Sequence, residues 1–243
     1  EPWTVHDICI HLFGADINVL SGDRDHFAHP LRGGWRDLSD WSDLLAFIDQ
    51  RNAEWVETNS RISPATLVDL LACTGPLAAH VWDDRDMAAI GRPVDWVGAD
   101  PQALWVHVAR EYTERWVHQQ QIRDAVHKPG FAEEWFIRPV IEAFMLALPR
   151  ALDKVPAGRG DVVRVVLTGD GGGTWIATFD GESWIGTAGP GESEVAAIEM
   201  STDAFWRMAS RTISPDEARG RARTIGDATA VDAFVHMVSM IVG

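Results

Sequence analysis

Glu114 and His118 stand four residues apart in a stretch of helical periodicity, a spacing that sets a carboxylate oxygen and an imidazole nitrogen side by side on one face. One divalent cation takes both as ligands. At ~100° per residue, His107, Glu111, Glu114 and His118 fall within a ~60° arc, which begins near Leu104 and continues as Ile122 and Ala125. A polar stripe with apolar ends is expected to face inward, where carboxylates and imidazoles are costly unless paired or coordinated. The opposite stripe of Trp105, Ala109, Tyr112 and Trp116 is apolar as well. Two readings therefore stay open. Either the helix is buried on both sides and the pair holds a metal, or Glu114 and His118 are a solvated pair and the tryptophan face alone is the core side.

A third candidate ligand, His11, lies at the edge of the Ile8–Ala15 face of an N-terminal helix, one turn after Asp7. Its alternative is an interior histidine satisfied by hydrogen bonds. Asp7, His107 and Glu111 are candidates for groups that orient the ligands. Two nitrogens and one oxygen leave a position open on zinc, the arrangement of catalytic sites, whereas structural sites are closed by four ligands, often cysteines. Cys9 and Cys73 form no Cys-x-x-Cys pair, which argues against both a thiolate finger and a disulfide scaffold. Cys9 is two positions from His11, so it points away from that face and reads as packing. Of the other histidines, His26 and His29 fall in a loop, His6 in a first helical turn, and His80, His127 and His236 have no comparable partner set.

The elements that must position these groups are readable from caps and periods. Thr4-Val5-His6-Asp7 has the capping-box form, and Ile8, Leu12, Ala15 and Val19 recur at helical spacing until Ser21-Gly22. Residues 23–39 read as a loop, Trp41–Asn59 as a second helix, and Ser63-Pro64 as the start of a third that Gly75-Pro76 interrupts or kinks. Gly91–Ala99 reads as connection. Asp100-Pro101 then opens the longest helix, to about Val126, closed by Lys128-Pro129-Gly130, and one more helix covers Glu133–Leu152. After the linker Pro156–Gly160 the period becomes two. Strands are expected over Val162–Leu167, Thr174–Phe179, Ser183–Thr187 and Val195–Met200, with turns at Asp170–Gly173 and Asp180-Gly181. Helices follow from Ser201, Ser214 and Asp227, the last apolar through Met240. The pattern predicts an α+β protein: a helical domain over 1–155, then a smaller domain over 161–243 built as a meander of strands followed by helices.

The formal charge of -15 repels phosphate backbones and anionic lipid, so neither nucleic acid nor membrane is an expected partner. No apolar run is long enough to span a bilayer and no basic-then-apolar leader precedes Thr4, which makes the cytoplasm the expected compartment. Twelve tryptophans against a single tyrosine are expected to serve as packing rather than stacking residues, because most fall on helix faces or strands.

Trp3-Thr4-Val5-His6-Asp7-Ile8-Cys9-Ile10-His11-Leu12 resembles the first metal segment of the mycothiol-dependent maleylpyruvate isomerase family, part of the larger set of DinB-like metal-binding bundles. Glu111-Tyr112-Thr113-Glu114-Arg115-Trp116-Val117-His118, running on through Gln121-Ile122-Arg123-Asp124-Ala125, is similar to the second. Gly169-Asp170-Gly171-Gly172-Gly173-Thr174-Trp175 is similar to part of that family's sterol-carrier-protein-like C-terminal domain. The resemblance implies a DinB-like up-down bundle whose divalent metal, zinc, is held by His11, Glu114 and His118. The chain starts almost at the first motif, whereas relatives usually carry a helix before it, so one bundle helix is expected to be missing from this sequence.

What the resemblance implies for chemistry is a thiol cosubstrate, mycothiol, whose thiolate attacks a small electrophile. In the isomerase itself the thiolate adds to a conjugated double bond, rotation follows, and elimination restores the bond in trans geometry. Acidic substrates would need a cation, and Arg211, Arg219, Arg221 and Arg223 are at hand, with Arg211 and Arg223 singled out for substrate. A solvated helix surface explains those arginines equally well. The competing class is a metal- and ligand-binding module without turnover, a sensor or carrier; a purely structural metal is a third reading. A monomer or a homodimer fits either class.

Overall fold

The capping box read at Thr4 is formed in the computed structural model, which describes residues 3–27, 41–94, 97, 100–187 and 193–237. The Asp7 carboxylate accepts from the Thr4 backbone N–H at 2.9 Å and from its hydroxyl at 2.7 Å, and Thr4 caps the Asp7 N–H in return. The helix so started, α1 (Val5–Asn18), buries Ile8, Ile10, His11, Gly14 and Asp16. It does not stop at Ser21-Gly22: a wider π turn continues it over Val19–Arg24. Within the loop expected next, residues 28–39 lie outside the described ones, and His29 with them. Helix α2 (Trp41–Asn59) has the bounds read from the sequence. In α3 (Pro64–His80) the Ser63 hydroxyl caps the Thr66 N–H and Pro64 takes the first turn, where its missing N–H costs nothing. The helix passes through Pro76 without ending.

Two compact units form. One holds the described residues up to Asp86 together with 118–129; the other holds 87–117 together with the described residues from Gly130 onward. In the first, α1 packs on both α2 and α3. Ile10, Val56 and Leu67 are its buried centre, with Trp3, Cys9, Phe13, Trp55 and Leu71 packed around them. Gly14 permits the α1–α2 contact, because a Cβ there would stand 2.5 Å from the Trp55 indole nitrogen. That nitrogen donates to the Ile10 carbonyl at 2.9 Å.

The second unit departs from the expected outline at its start. Ile90–Pro93 is a strand, β1, paired antiparallel with β2 (Pro101–Ala103), where connection and helix were expected. The longest helix, α4, therefore begins only at Leu104 and runs to Ala125, contributing its turns up to Val117 to this unit and the rest to the first. The single helix expected over Glu133–Leu152 is two, α5 (Glu134–Met145) and the short α6 (Leu148–Ala151), whose first turn takes Pro149.

Strands β3 (Asp161–Thr168), β4 (Gly173–Phe179) and β5 (Trp184–Thr187) do form the antiparallel meander. Strand β6 (Ser193–Ser201) does not extend it. It crosses over to pair parallel with β3 on the other side. Helices α7 (Thr202–Ala209) and α8 (Pro215–Gly220) follow, capped by Ser201 and Ser214. A strand the sequence reading missed, β7 (Arg223–Gly226), then pairs with β6, giving the order β5-β4-β3-β6-β7. Asp227 caps α9 (Ala228–Val235), and residues from 238 on lie outside the described ones. The sheet buries Val163, Val165, Leu167, Ile198 and Met200, and Phe205 of α7 stacks on Phe234 of α9. The protein is α+β, as its periodicities predicted.

Candidate metal centre

His11 projects from the second turn of α1, the helix whose start is fixed by the Thr4–Asp7 box. Its ring is buried, packs against Trp3 with centroids 5.1 Å apart, and meets the His118 ring edge-on at 4.7 Å. His118 sits on α4 at 1% exposure, one turn after the half-buried Glu114. One ligand atom from each of His11, Glu114 and His118 lies within 4.8 Å of the other two. Two ligands held at about 2.0–2.2 Å from one zinc ion are separated by up to about 4.4 Å, so the bound is slightly wider than a shared cation requires and a small side-chain adjustment would close it.

The donor set also has the right chemistry. His118 Nδ1 lies 2.6 Å from Gln121 Oε1, an atom that only accepts, a contact that matches a ring proton on Nδ1 and a lone pair on Nε2. That tautomer leaves Nε2 free to take a metal. Two imidazoles and a carboxylate suit zinc and its borderline neighbours better than a hard alkaline-earth cation. The residues present fit a divalent transition metal.

His107 and Glu111 are buried on the inward stripe with His118, so the solvated-face alternative does not describe α4. Glu111 has charge partners of its own. The Glu111 carboxylate is held by Arg110 and, at 2.9 Å, by Arg115, whose guanidinium also donates to the Glu111 carbonyl at 3.0 Å. A carboxylate with two guanidiniums already has its countercharge. Asp7 is engaged in the capping box, where hydrogen bonds from Thr4 hold its carboxyl below the ordinary value. It serves the site by starting the helix that carries His11. Cys9 belongs to the packed cluster of the first unit, and burial pushes its thiol up, away from the thiolate form.

The tryptophan face needs correction. Trp116 is buried, donating to the Phe131 carbonyl at 3.0 Å and meeting Trp206 edge-on at 5.3 Å. Trp105, expected beside it in the core, is 45% exposed, and Tyr112 is at the surface too. The arginines have different immediate partners. Arg219 pairs with Asp232 at 2.6 Å and Arg221 with Glu217 at 2.5 Å. Arg211, in the left-handed region with φ 59°, borders a groove of about 250 Å³ with Met208, Ile213, Pro215 and Val235. Arg223 lies on the edge strand β7 in a separate groove beside Arg164, Glu199 and Ile225.

Two residues were missed in the sequence, Gln121 and Trp3. The His118-x-x-Gln121 spacing, three apart on one helix, was the legible signal for the first. Nothing in the one-dimensional pattern announced that Trp3 packs on His11.

No family model and no curated protein matches the chain. Among solved structures it is similar to a mutant of the mycothiol-dependent maleylpyruvate isomerase, with 16% identity and a TM-score of 0.45, over 87% of this chain and 75% of that one. A likeness so distant carries neither activity nor ligands across. No helix among the described residues is long and apolar enough to cross a membrane.

Proposed function

We propose that this chain is a metal-dependent enzyme that uses a low-molecular-weight thiol, mycothiol being the leading choice, to add to or isomerise a small electrophile. The convergence of His11, Glu114 and His118 carries the reading. With a dication bound, two imidazoles and one carboxylate would leave the site a net positive charge, which favours an anionic cosubstrate such as a thiolate. A divalent cation held by the three side chains, zinc being the proposed ion, would supply Lewis acidity and lower the pKa of a thiol or water beside it.

The chain's own residues do the rest. Burial of His11 and His118 keeps the ligands dry, Trp3 packs against the His11 ring, and Gln121 orients the His118 ring. Cys9, protonated and packed, leaves the nucleophile to the external thiol. Should the electrophile be acidic, Arg211 or Arg223 is the proposed partner, since a guanidinium fork matches a carboxylate.

The test is turnover of a panel of small electrophiles, with and without mycothiol, on protein loaded with zinc. Activity should require both thiol and metal, and should vanish with a chelator. Stoichiometric metal without turnover under any thiol would make the chain a non-catalytic sensor or carrier instead. Failure to take up any transition metal would remove both readings.

A further inference from the structure

His118 is nearly sealed from solvent, so its ring N–H must have a partner within the protein. Gln121 supplies it, one turn on along α4, with Oε1 at 2.6 Å from Nδ1. Both residues belong to the same helix and the same compact unit, so their juxtaposition follows from helical geometry alone. We infer that Gln121 is a positioning residue: its carboxamide oxygen locks His118 in the Nδ1–H tautomer and turns the Nε2 lone pair toward His11 and Glu114. The inference rests on the metal reading above and adds a residue to it.

The side-chain type matters as much as the distance. Turned the other way, the same amide would offer an N–H to Nδ1 and drive the ring proton to Nε2, the atom required for coordination. An apolar residue would leave a buried N–H without its acceptor and the ring without a preferred tautomer. A carboxylate would keep the acceptor and add negative charge, making the imidazole a stronger donor. Gln121 therefore sets an intermediate ligand strength, with orientation but without added charge.

Two measurements on the full chain test this, one of which needs no metal. In metal-free protein, the nitrogen chemical shifts of His118 should report Nδ1–H for the parent and for Gln121→Glu, and a mixture or Nε2–H for Gln121→Leu. In competition titrations with zinc alone, Gln121→Leu should bind about 10- to 100-fold more weakly than the parent, the range for loss of such an orienting partner, and Gln121→Glu at least as tightly. Rescue by Glu but not by Leu is the result a merely space-filling role would not produce. An Nε2–H ring in the metal-free parent, or an unchanged tautomer in Gln121→Leu, overturns the proposal. If the parent shows the expected tautomer and Gln121→Leu loses it, while no variant binds zinc, the positioning role stands and the metal reading fails.

Discussion

Glu111 lies on the same buried stripe as Glu114, but its charge is matched by Arg110 and Arg115. His118→Ala should empty the metal site, because a two-ligand site binds far more weakly than a three-ligand one. Glu111→Gln should leave it loaded. Elemental analysis of zinc-treated, desalted protein reads both. Loss of metal from Glu111→Gln with retention in Glu114→Gln would shift the site by one helical turn.

Elements matter here through where they start and which face they bury. Helix α1 carries His11 and starts at the Thr4–Asp7 box, so Thr4→Ala should cost about 0.5–2 kcal/mol. The sign of its pH dependence follows from Asp7, whose carboxyl is held down chiefly by the Thr4 hydrogen bonds. Its contribution is complete above the ordinary aspartate value of about 3.9 and is lost as the pH falls through the lower folded value. Denaturant midpoints of parent and Thr4→Ala should therefore differ at neutral pH and draw together in acid. A gap that widens in acid would contradict the box. On α4 the two tryptophans part company. Trp116→Ala should cost about 3–5 kcal/mol through the cavity it leaves against Trp206. Trp105→Ala, at an exposed position, should cost below about 1 kcal/mol. Equal losses from both would restore the single tryptophan face that the periodicity suggested.

For the whole molecule, we propose that 154–161, a segment inside the second compact unit, is the readily cut linker, because helices give way to strands there and Pro156, Gly158 and Gly160 interrupt both periods. Limited proteolysis should nick there before it cuts any helix, with the fragments identified by mass. Early cleavage inside Leu104–Ala125 would place the weak point in the helix that bears Glu114 and His118.

Local features were legible in the residues themselves. The caps at Thr4, Ser63, Ser201, Ser214 and Asp227 depend on a side chain and an N–H three residues away, so short spacing announces them. The inward stripe of α4 and the Glu114–His118 pair are likewise periodic facts. Tertiary structure decided what depends on distant partners. Strands β1, β2 and β7 are three or four residues long, too short for an alternating pattern, and exist because another strand supplies their hydrogen bonds. Strand β6 looks like a fourth meander strand until its parallel pairing with β3 is seen. Trp105 and Trp116 share a helix face on paper, but a wheel records angle and not depth, and only packing buries one and exposes the other. The same holds at the candidate centre. Two of its ligands are set by one helix, whereas the approach of His11 on another required the fold, because no spacing along the chain encodes a distance between separate helices.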